Sequence, residues 1–344
     1  MGETYAAAGV DIDAGEELVR RIRSSVGDAG RPEVLGGIGG FAGLFALGDG
    51  HRDPVLVAST DGVGTKALVA AEAGRLGTIG IDLVAMCVDD LVCTGAEPLF
   101  LLDYVAVGKL DPEAVATVVG GVAEGCRRAG CALLGGETAE HPGALDPEHF
   151  DLAGFAVGVV ERDRILPLGV SPGDVLIGLP SPGLRCNGYS LARRVLLDVT
   201  GLSLDDPAWP GAPQTLAEEL LEPSVIYAPA LLRLLAAVDV RALAHVTGGG
   251  LVGNLPRVLP ERADAVVDPR TWEIPRIFGE VARLGEVDDE EMARVFNLGI
   301  GMVAVVPPAD EGRALSELTA AGVRAVTIGE VVPGEGRVQV AGGW

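Results

Sequence analysis

The chain has 344 residues, of which 26 are basic and 49 are acidic, and its formal net charge at pH 7 is −23. This charge argues against a protein that binds the phosphate backbone of a nucleic acid. Apolar residues make up 48% and charged residues 22% of the chain, as in a soluble globular protein. At roughly 100–200 residues per domain, the length favours two domains. With 50 glycines and 4% aromatic residues, we expect an Ala, Val and Leu core and many turns that need a backbone without a Cβ.

The sequence has no apolar run of the roughly 18 residues that a membrane-spanning helix needs. Residues 1–15 carry acidic side chains where a secretion signal carries basic ones followed by an apolar stretch. The five cysteines are odd in number and form no CxxC pair, which favours reduced, structural thiols. We therefore expect a cytoplasmic protein with no membrane partner.

Strands and helices alternate along the first half of the chain. A short continuous apolar run predicts a buried strand at residues 55–58. Apolar residues at helical spacing predict a helix over residues 78–93, and Gly95 and Pro98 supply its stop. The remaining elements predicted in this half are a strand at residues 99–107, a helix that starts at Asp111-Pro112 and runs to Gly130, and strands at residues 131–134 and 155–160.

A second alternation follows a segment rich in Pro and Gly, residues 166–173. Such segments are typical of domain boundaries, so we predict one domain over residues 1–168 and another over residues 169–344. In the second half, the patterns predict strands at residues 175–179, 301–306 and 326–331 and helices at residues 190–199, 225–238 and 309–321. Two α/β layers of similar size fit the length.

A glycine-rich segment follows the first predicted strand and reads Ser59-Thr60-Asp61-Gly62-Val63-Gly64-Thr65-Lys66. The carboxyl ends of strands in α/β proteins are favoured ligand sites, and glycine lets backbone N–H groups approach phosphate oxygens. Lys66 would add a positive charge. Because the residue order is not that of a Walker A loop, two alternatives stay open, a phosphate-binding loop and an ordinary glycine-rich turn.

Three acidic residues, Asp82, Asp89 and Asp90, lie on the helix predicted over residues 78–93. Asp82 and Asp90 would be about 12 Å apart along its axis, so one ion does not readily contact both. Magnesium needs only one or two carboxylates in addition to substrate phosphates, so Asp61 with Asp90 is the more economical pair of metal ligands. For Asp89 we favour the alternative of a solvated helix face.

Three further segments combine glycine with polar residues. Gly135-Gly136-Glu137-Thr138 follows a predicted strand. Asn187-Gly188-Tyr189-Ser190 precedes a predicted helix, where Ser190 could be the N-cap beside free N–H groups. His245-Val246-Thr247-Gly248-Gly249-Gly250 places a titratable imidazole beside another such turn. Each segment alone is also compatible with a purely structural turn, but together they favour a large anionic ligand bound between the domains.

Taken in order, these segments resemble those of the aminoimidazole ribonucleotide synthetase family, the phosphoribosylformylglycinamidine cyclo-ligases of de novo purine biosynthesis. The resemblance also includes Tyr5 with Ala8-Gly9-Val10-Asp11-Ile12, the run Gly36-Gly37-Ile38-Gly39-Gly40-Phe41, and D-x4-G-A-x-P from Asp90 to Pro98. It extends from about Tyr5 to Gly329. D-x4-G-A-x-P alone marks only the wider superfamily, which includes selenophosphate synthetase and thiamine-phosphate kinase.

The resemblance implies a two-domain α/β fold of the α+β type. In such a homodimer the N-terminal sheets pair into a shared barrel, and a C-terminal α/β domain closes each active site. ATP and Mg²⁺ are the implied cofactors, a ribonucleotide is the implied small-molecule substrate, and Asp61 and Asp90 would hold the metal and triphosphate. The implied nucleotide site also contains Gly62, Gly64, Thr65, Lys66, Gly135, Gly136, Glu137 and Thr138. The residues implied to face the substrate are Asn187, Ser190, Thr247, Gly248 and Gly249. The implied catalytic residues are His245, Lys66 and Asp61.

The implied reaction closes the imidazole ring of 5-aminoimidazole ribonucleotide from formylglycinamidine ribonucleotide. An amide oxygen is a poor leaving group, so the γ-phosphate of ATP first converts the formamide oxygen into an iminophosphate. An amidine nitrogen then attacks, and phosphate leaves. Metal, Lys66 and backbone N–H groups would neutralise the charge on the transferring group. His245 would stabilise charge or transfer a proton.

The chain departs from the family pattern at three positions. Arg185 stands where most members have His in G-x-H-S-N-G-Y-S, Val225 stands where a cation is usual, and Ala6 stands where many members have Lys. Arginine does not release a proton at neutral pH, so any acid or base task at position 185 is lost, although phosphate binding could survive. Two alternatives therefore stay open beside the cyclo-ligase. One is a paralogue with the same ATP site but an altered substrate or weakened activity, and the other is a non-catalytic binding partner.

Overall fold

The structure is a computed structural model that describes residues 12–35 and 42–343. Tyr5, Ala6 and the glycine-rich run 36–41 lie outside the described residues. The helices are α1 Ile12–Asp28, α2 Lys66–Glu72, α3 Ile79–Val92, α4 Pro112–Ala129, α5 Tyr189–Arg193, α6 Leu216–Leu220, α7 Ala228–Ala237, α8 Gly250–Asn254, α9 Arg276–Gly285, α10 Asp289–Val295 and α11 Glu311–Ala320. The strands are β1 Val34–Leu35, β2 Leu44–Phe45, β3 Pro54–Gly62, β4 Glu97–Val107, β5 Ala132–Glu140, β6 Phe150–Glu161, β7 Val175–Pro180, β8 Ala242–His245, β9 Ala263–Val267, β10 Ile300–Val306, β11 Val326–Pro333 and β12 Val338–Val340.

The N-terminal half is built on a four-stranded sheet of order β3-β6-β4-β5. Only β4 and β5 run parallel in it. Helices α3 and α4 pack on one face, because their apolar residues and the inward side chains of the strands form one buried cluster. The side chains of Leu56, Tyr104 and Phe155 are exposed. The strand register places these three residues on the other face of the sheet.

Helix α4 confirms the sequence prediction at both of its ends. The carboxylate of Asp111 accepts hydrogen bonds from the backbone N–H groups of Glu113 and Ala114 at 2.9 and 3.3 Å. Pro112 occupies the first turn, and Gly130 ends the helix in the left-handed conformation with φ of 75°. An N-cap acid, an early proline and a C-terminal glycine together define a helix in the sequence without help from tertiary contacts.

Glycine also serves the packing of α3 against α4, which the sequence analysis did not anticipate. A Cβ on Gly80 would collide with the backbone of Gly121 and Val122. A Cβ on Gly121 would lie 2.6 Å from the carbonyl oxygen of Gly77. The two helix backbones therefore approach more closely than any other residue pair at these positions would allow.

The C-terminal half contains a six-stranded sheet of order β12-β9-β11-β7-β10-β8 within the described residues. All its neighbouring strands are antiparallel except β12 and β9. Strand β10 is buried along its whole length, as expected for a central strand covered on both faces. The two mixed layers of helix and sheet confirm the predicted α/β fold of the α+β type.

Part of one predicted glycine-rich turn and the whole of another are strand instead. β3 continues to Gly62, where Asp61 pairs with Gly154 of β6. β5 continues to Glu140, and its glycines pair with β4, Gly135 with Leu102 and Gly136 with Asp103. Local composition predicts a turn at both places, but the hydrogen bonds of neighbouring strands extend the ladder through the glycines.

No disulfide joins cysteines in the part of the chain that the structure describes. All five cysteines lie in the described part of the chain and are unpaired thiols, and four of them are buried. Among the helices of residues 12–35 and 42–343, none is long and apolar enough to cross a membrane.

Candidate active site

Asp61, Asp90 and His245 lie together where the two halves of the chain meet. Asp61 stands at the end of β3, and its Oδ1 accepts a hydrogen bond from the N–H of Gly62 at 2.7 Å. Asp90 belongs to the last turn of α3, and its Oδ1 lies 2.8 Å from Nδ1 of His245, the last residue of β8. Burial raises the pKa of Asp61. The hydrogen bond from Gly62 opposes this rise, and the negative charge of Asp90 adds to it. The structure therefore places two carboxylates where a cation would relieve their repulsion.

The hydrogen bonds of His245 determine which ring nitrogen carries the proton. Its Nε2 lies 2.9 Å from Nη2 of Arg185. A guanidinium group only donates hydrogen bonds, so Nε2 accepts and the proton of the neutral ring is on Nδ1, which donates to Asp90. Both ring nitrogens are thus engaged by protein groups. The prediction that His245 transfers a proton does not fit this arrangement, in which the imidazole connects Arg185 to Asp90.

Arg185, which stands where most members of the family have His, is buried between protein groups. Its side chain is 1% exposed. Nη1 donates to the carbonyl oxygen of Val225 at 2.9 Å, Nη2 donates to Oδ2 of Asp89 at 3.0 Å, and the guanidinium lies 5.0 Å from the ring centroid of Tyr227. The residue also has a positive φ of 62°, a conformation that costs a non-glycine residue roughly 1 kcal/mol or more. The surrounding contacts offset this strain, and the buried guanidinium is not placed for phosphate binding.

Asp89 is fully buried, so the prediction of a solvated helix face is wrong. Its Oδ1 accepts the backbone N–H groups of Tyr227 and Ala228 at 2.9 and 3.0 Å, at the start of α7. Burial raises the pKa of Asp89, and the charge of Arg185 is the largest influence that opposes this rise. The carboxylate therefore caps a helix of the other half of the chain and anchors Arg185.

Lys66 also lies away from the position that was predicted for it. Its ammonium group is fully buried, lies 2.8 Å from Oδ2 of Asp82 and donates to the carbonyl oxygen of Glu222 at 3.0 Å. Oδ1 of Asp82 accepts from both the N–H and the hydroxyl of Ser224, at 2.8 and 2.6 Å. Burial alone would lower the pKa of Lys66, but the charge of Asp82 leads the opposing influences and the pKa is raised. The charged ammonium thus joins the two halves of the chain and has no exposed surface for a phosphate.

The loops predicted to face the substrate lie close together in the C-terminal half, and one of them contacts the nucleotide segment of the N-terminal half. The hydroxyl of Thr65 lies 3.3 Å from that of Ser190. A Cβ on Gly248 would lie 3.7 Å from Nδ2 of Asn187, so these two segments are neighbours. Ser190 is not the N-cap that was predicted, because Gly188 occupies that position and α5 begins at Tyr189.

One residue that the sequence analysis missed holds the loop of Thr247, Gly248 and Gly249. The side-chain nitrogen of Asn254 donates to the carbonyl oxygens of Thr247, Gly248 and Gly250 at 3.3, 3.3 and 2.9 Å. Asn254 is 2% exposed and lies at the end of α8. The signal available in the sequence was an asparagine four residues after a glycine run, because glycine turns leave carbonyl groups that need donors.

The segment Gly135, Gly136, Glu137 and Thr138 is divided between the two faces of the sheet. Gly136 continues a row across the strands that contains Asp61, Gly154 and Asp103. Glu137 belongs to the next row, beside the half-exposed Tyr104. Since successive residues of a strand point to opposite faces, Glu137 and Asp61 do not share a site within one chain.

A cavity of about 900 Å³ lies beside this segment. Its lining includes α1, Phe100, Asp103 and all four residues of the segment. Asp103 is buried, and its Oδ2 has no hydrogen-bond partner among the described residues. Burial raises the pKa of Asp103 to about 7. Gly136 makes room for this carboxyl group, because a Cβ there would collide with Oδ1 of Asp103.

The acidic residues of the site fit magnesium better than a metal held by protein alone. Within residues 12–35 and 42–343, no group of three or more His, Cys, Asp or Glu side chains could hold a metal ion. Asp61 and Asp90 supply two carboxylates that repel each other. Magnesium typically takes one or two carboxylates and completes its shell with phosphate and water, so the donor set suits an ion that arrives with a nucleotide.

Family models match both halves of the chain. The model for the N-terminal domain of AIR synthase related proteins matches residues 41–160, and the model for their C-terminal domain matches residues 171–341. Among solved structures, the thiamine-monophosphate kinase of Stenotrophomonas maltophilia has a TM-score of 0.67 at 21% identity, with 95% of this chain and 96% of that chain covered. Hydrogenase maturation protein HypE in complex with ATP has a TM-score of 0.66 at 19% identity, with 96% and 92% covered. The chain therefore has the two-domain fold of the AIR synthase related proteins.

Curated relatives define the family more narrowly. The phosphoribosylformylglycinamidine cyclo-ligase of Myxococcus xanthus is 55% identical over 339 residues, which cover 98% of each chain. That of an Anaeromyxobacter species is 56% identical over 338 residues, again 98% of each chain. The chain belongs to the phosphoribosylformylglycinamidine cyclo-ligase family.

Proposed function

We propose that the chain closes the imidazole ring of 5-aminoimidazole ribonucleotide from formylglycinamidine ribonucleotide and releases ADP and phosphate. The observation that carries this proposal is identity of 55–56% along almost the entire length of relatives named for this reaction. The cluster of Asp61, Asp90 and the loops at Asn187 and Gly248 supports it, because the two halves of the chain contribute to one site. The division at residue 168 and the cytoplasmic location are part of the same proposal.

Asp61 and Asp90 would hold magnesium together with the triphosphate of ATP. When bound, the ion supplies neutralisation of charge on the phosphoryl group that is transferred. The chain itself contributes fixed geometry, since Asp61 is held by the Gly62 N–H and Asp90 by His245. The backbone at Gly62, Gly64 and Thr65 would lie along the phosphates, where preorganised N–H groups stabilise developing charge.

The cavity beside Gly135, Gly136, Glu137 and Thr138 is a separate candidate for nucleotide binding, since among the described residues its lining includes neither Asp61 nor Asp90. Its volume of about 900 Å³ and largely apolar lining are in the range of sites for molecules of that size. The ribonucleotide substrate would lie against Asn187, Ser190, Thr247, Gly248 and Gly249, whose loop Asn254 holds. Lys66 is left out of the proposed site because its ammonium is buried against Asp82.

Arg185 does not by itself favour a changed substrate. Its guanidinium contacts protein groups, namely Asp89, His245 and the carbonyl of Val225, and has almost no exposed surface. A different residue at position 185 would therefore change the contacts of Asp89 and His245, and it would not directly change the lining of the substrate pocket. The cyclo-ligase reaction therefore remains the function that we propose.

A homodimer is also part of the proposal. Leu56, Tyr104 and Phe155 are large, exposed and on the sheet face opposite α3 and α4. Large apolar side chains exposed on one sheet face favour burial against a partner. We expect Phe155→Glu to shift the protein from dimer to monomer in light scattering, whereas Leu168→Glu, at an exposed leucine outside the sheet, leaves the mass unchanged. A monomeric parent protein would refute the dimer.

The proposed reaction is tested with purified protein, formylglycinamidine ribonucleotide, ATP and magnesium. The expected result is aminoimidazole product formed in proportion to ADP. Asp90→Asn should lower turnover by about 100-fold or more, because it removes a charged metal ligand. Asp163→Asn, at an exposed acid on the surface, is the matched control and should retain turnover. ATP binding without product would contradict the proposed substrate.

A further inference from the structure

Four side chains form one continuous row of contacts between the two halves of the chain. Arg185 Nη2 lies 3.0 Å from Oδ2 of Asp89 and 2.9 Å from Nε2 of His245, and Nδ1 of His245 lies 2.8 Å from Oδ1 of Asp90. The side chains of Asp89, Arg185 and His245 are 0%, 1% and 3% exposed, whereas that of Asp90 is 44% exposed. The row therefore starts in the interior and ends at one accessible carboxylate.

The buried end of the row fixes the guanidinium of Arg185. Asp89 is itself held by the backbone N–H groups of Tyr227 and Ala228. A second arm of the guanidinium donates to the Val225 carbonyl. The planar fork has its donors in fixed directions, so these bonds leave the group little freedom to turn away from His245.

We propose that Arg185 is a positioning residue that fixes His245 as the neutral Nδ1–H tautomer and thereby orients the Asp90 carboxylate toward a divalent cation. The part that concerns the cation rests on the proposed function. His245 then connects Arg185 to Asp90 and exchanges no proton with the substrate. Partners of this kind, one shell away from a metal, typically alter metal affinity or activity by about 10–100-fold when removed.

The tautomer is measured directly in protein labelled with ¹⁵N-histidine, without substrate or metal. The chain has four histidines, so the spectrum is sparse, and His245→Gln identifies the signals of His245. In the parent protein we expect an unprotonated Nε2 and a protonated Nδ1. In Arg185→Met we expect population of the Nε2–H form, because the obligatory donor is gone. A protonated Nε2 in the parent, or an unchanged tautomer in Arg185→Met, overturns the proposal.

Two variants separate this effect from loss of folding. Arg185→Met leaves the buried charge of Asp89 unpaired, which is strongly destabilising. The double variant Arg185→Met with Asp89→Asn removes that charge and keeps an oxygen for the Tyr227 and Ala228 N–H groups, and we expect it to fold and to populate Nε2–H. Arg241→Met is the matched control, since Arg241 also pairs with a buried acid, Asp174, but does not contact His245. Its His245 signals should equal those of the parent.

The orientation of Asp90 is measured by titration with Mn²⁺ in the presence of a non-hydrolysable ATP analogue, detected by electron paramagnetic resonance. We expect the double variant to bind Mn²⁺ about 10-fold more weakly, and Arg185→Lys, which keeps a cationic donor group, to recover part of the loss. A changed tautomer with unchanged Mn²⁺ affinity overturns the role in orientation. If the parent protein forms no product but has the expected tautomer, the proposed function fails while the role of Arg185 on His245 stands.

Discussion

Two buried cations, Lys66 and Arg185, make matching contacts with α3 but differ in what lies beyond them. Each comes from a glycine-containing segment, and each pairs with an aspartate on one face of α3, Asp82 or Asp89. Both pairs also involve the segment between residues 222 and 228, which belongs to the other half of the chain.

The difference lies in the third group of each cluster. Asp82 and Lys66 are completed by Ser224 and a backbone carbonyl, so that cluster is closed within the protein. Arg185 contacts a histidine that in turn contacts the accessible Asp90. The same type of ion pair thus stabilises the contact between the halves in one case and supports a site residue in the other. Burial of an ion pair does not reveal its role, whereas the last group in its hydrogen-bond network does.

Asp82→Ala should have the largest effect, on stability. The substitution leaves the Lys66 ammonium buried without its counter-ion, and breaking such a pair costs about 3–5 kcal/mol of unfolding free energy. Urea denaturation measures the loss. In the double variant Lys66→Met with Asp82→Asn, where neither charge remains, the loss should be smaller. A loss below about 1 kcal/mol in Asp82→Ala would mean that Lys66 finds another partner or reaches water.

Asp103 extends the comparison to a buried carboxyl group that pairs with no cation among the described residues. Burial raises its pKa to about 7, whereas an unfolded chain has a value near 3.9. The folded protein therefore holds this proton more tightly. Its stabilising contribution is complete below about pH 4 and is lost as the pH rises to about 7, with a total of at most about 4 kcal/mol.

Asp103→Asn should therefore stabilise the protein at pH 8 and have little effect near pH 4. The measurement is the difference in unfolding free energy between variant and parent at several pH values across this range. Asp174→Asn is the matched control, because Asp174 is also buried but pairs with Arg241, and it should destabilise at pH 8. A difference for Asp103→Asn that does not change with pH would refute the raised pKa.

Values of kcat for Asp89→Asn and Asp82→Asn test whether the two clusters have different roles. Each variant keeps an oxygen for the neighbouring backbone N–H groups and removes only the charge that faces the cation. Asp89→Asn loosens Arg185 and should lower kcat by about 10-fold. Asp82→Asn affects the closed cluster and should leave kcat within a factor of about two at temperatures where it is folded. Equal losses of kcat would contradict the different roles of the two clusters.

Local patterns in the sequence predicted the frame of the molecule but not the partners of its charges. The caps of α4 and the apolar spacing of α3 are local signals, and the structure has both helices within a residue or two of the predicted bounds. Ser224, which donates to Asp82, lies 142 residues away, and Arg185, which donates to Asp89, lies 96 residues away, so the residues adjacent to these acids in the sequence did not distinguish a buried acid from a solvated one.

Strand pairing was the second source of error. Gly135 and Gly136 have the composition of a turn, and only the adjacent β4 makes them strand. Asp61 and Asp90 were proposed as a pair from magnesium chemistry and from the resemblance, and in the structure their charges interact. Lys66 was assigned to phosphate because its sequence neighbours were glycines. The long side chain of a lysine at the start of a helix can extend toward solvent or toward the interior. In the structure Lys66 extends toward the interior, where it pairs with the buried Asp82.

Loss of the contact between Thr65 and Ser190 should have the smallest effect on stability. It tests whether Ser190 joins the two halves of the chain or binds the substrate. The two hydroxyls are 3.3 Å apart, and Ser190 is exposed, so the hydrogen bond contributes at most about 0.5–1 kcal/mol to stability. Ser190→Ala should leave the urea midpoint close to that of the control Ser316→Ala, whose hydroxyl bonds only within α11. If Ser190 faces the ribonucleotide as proposed, its loss raises KM several-fold while kcat changes little, because one uniform binding contact is removed. A lower urea midpoint with an unchanged KM would show that Ser190, like Lys66, joins the two halves of the chain and does not bind the substrate.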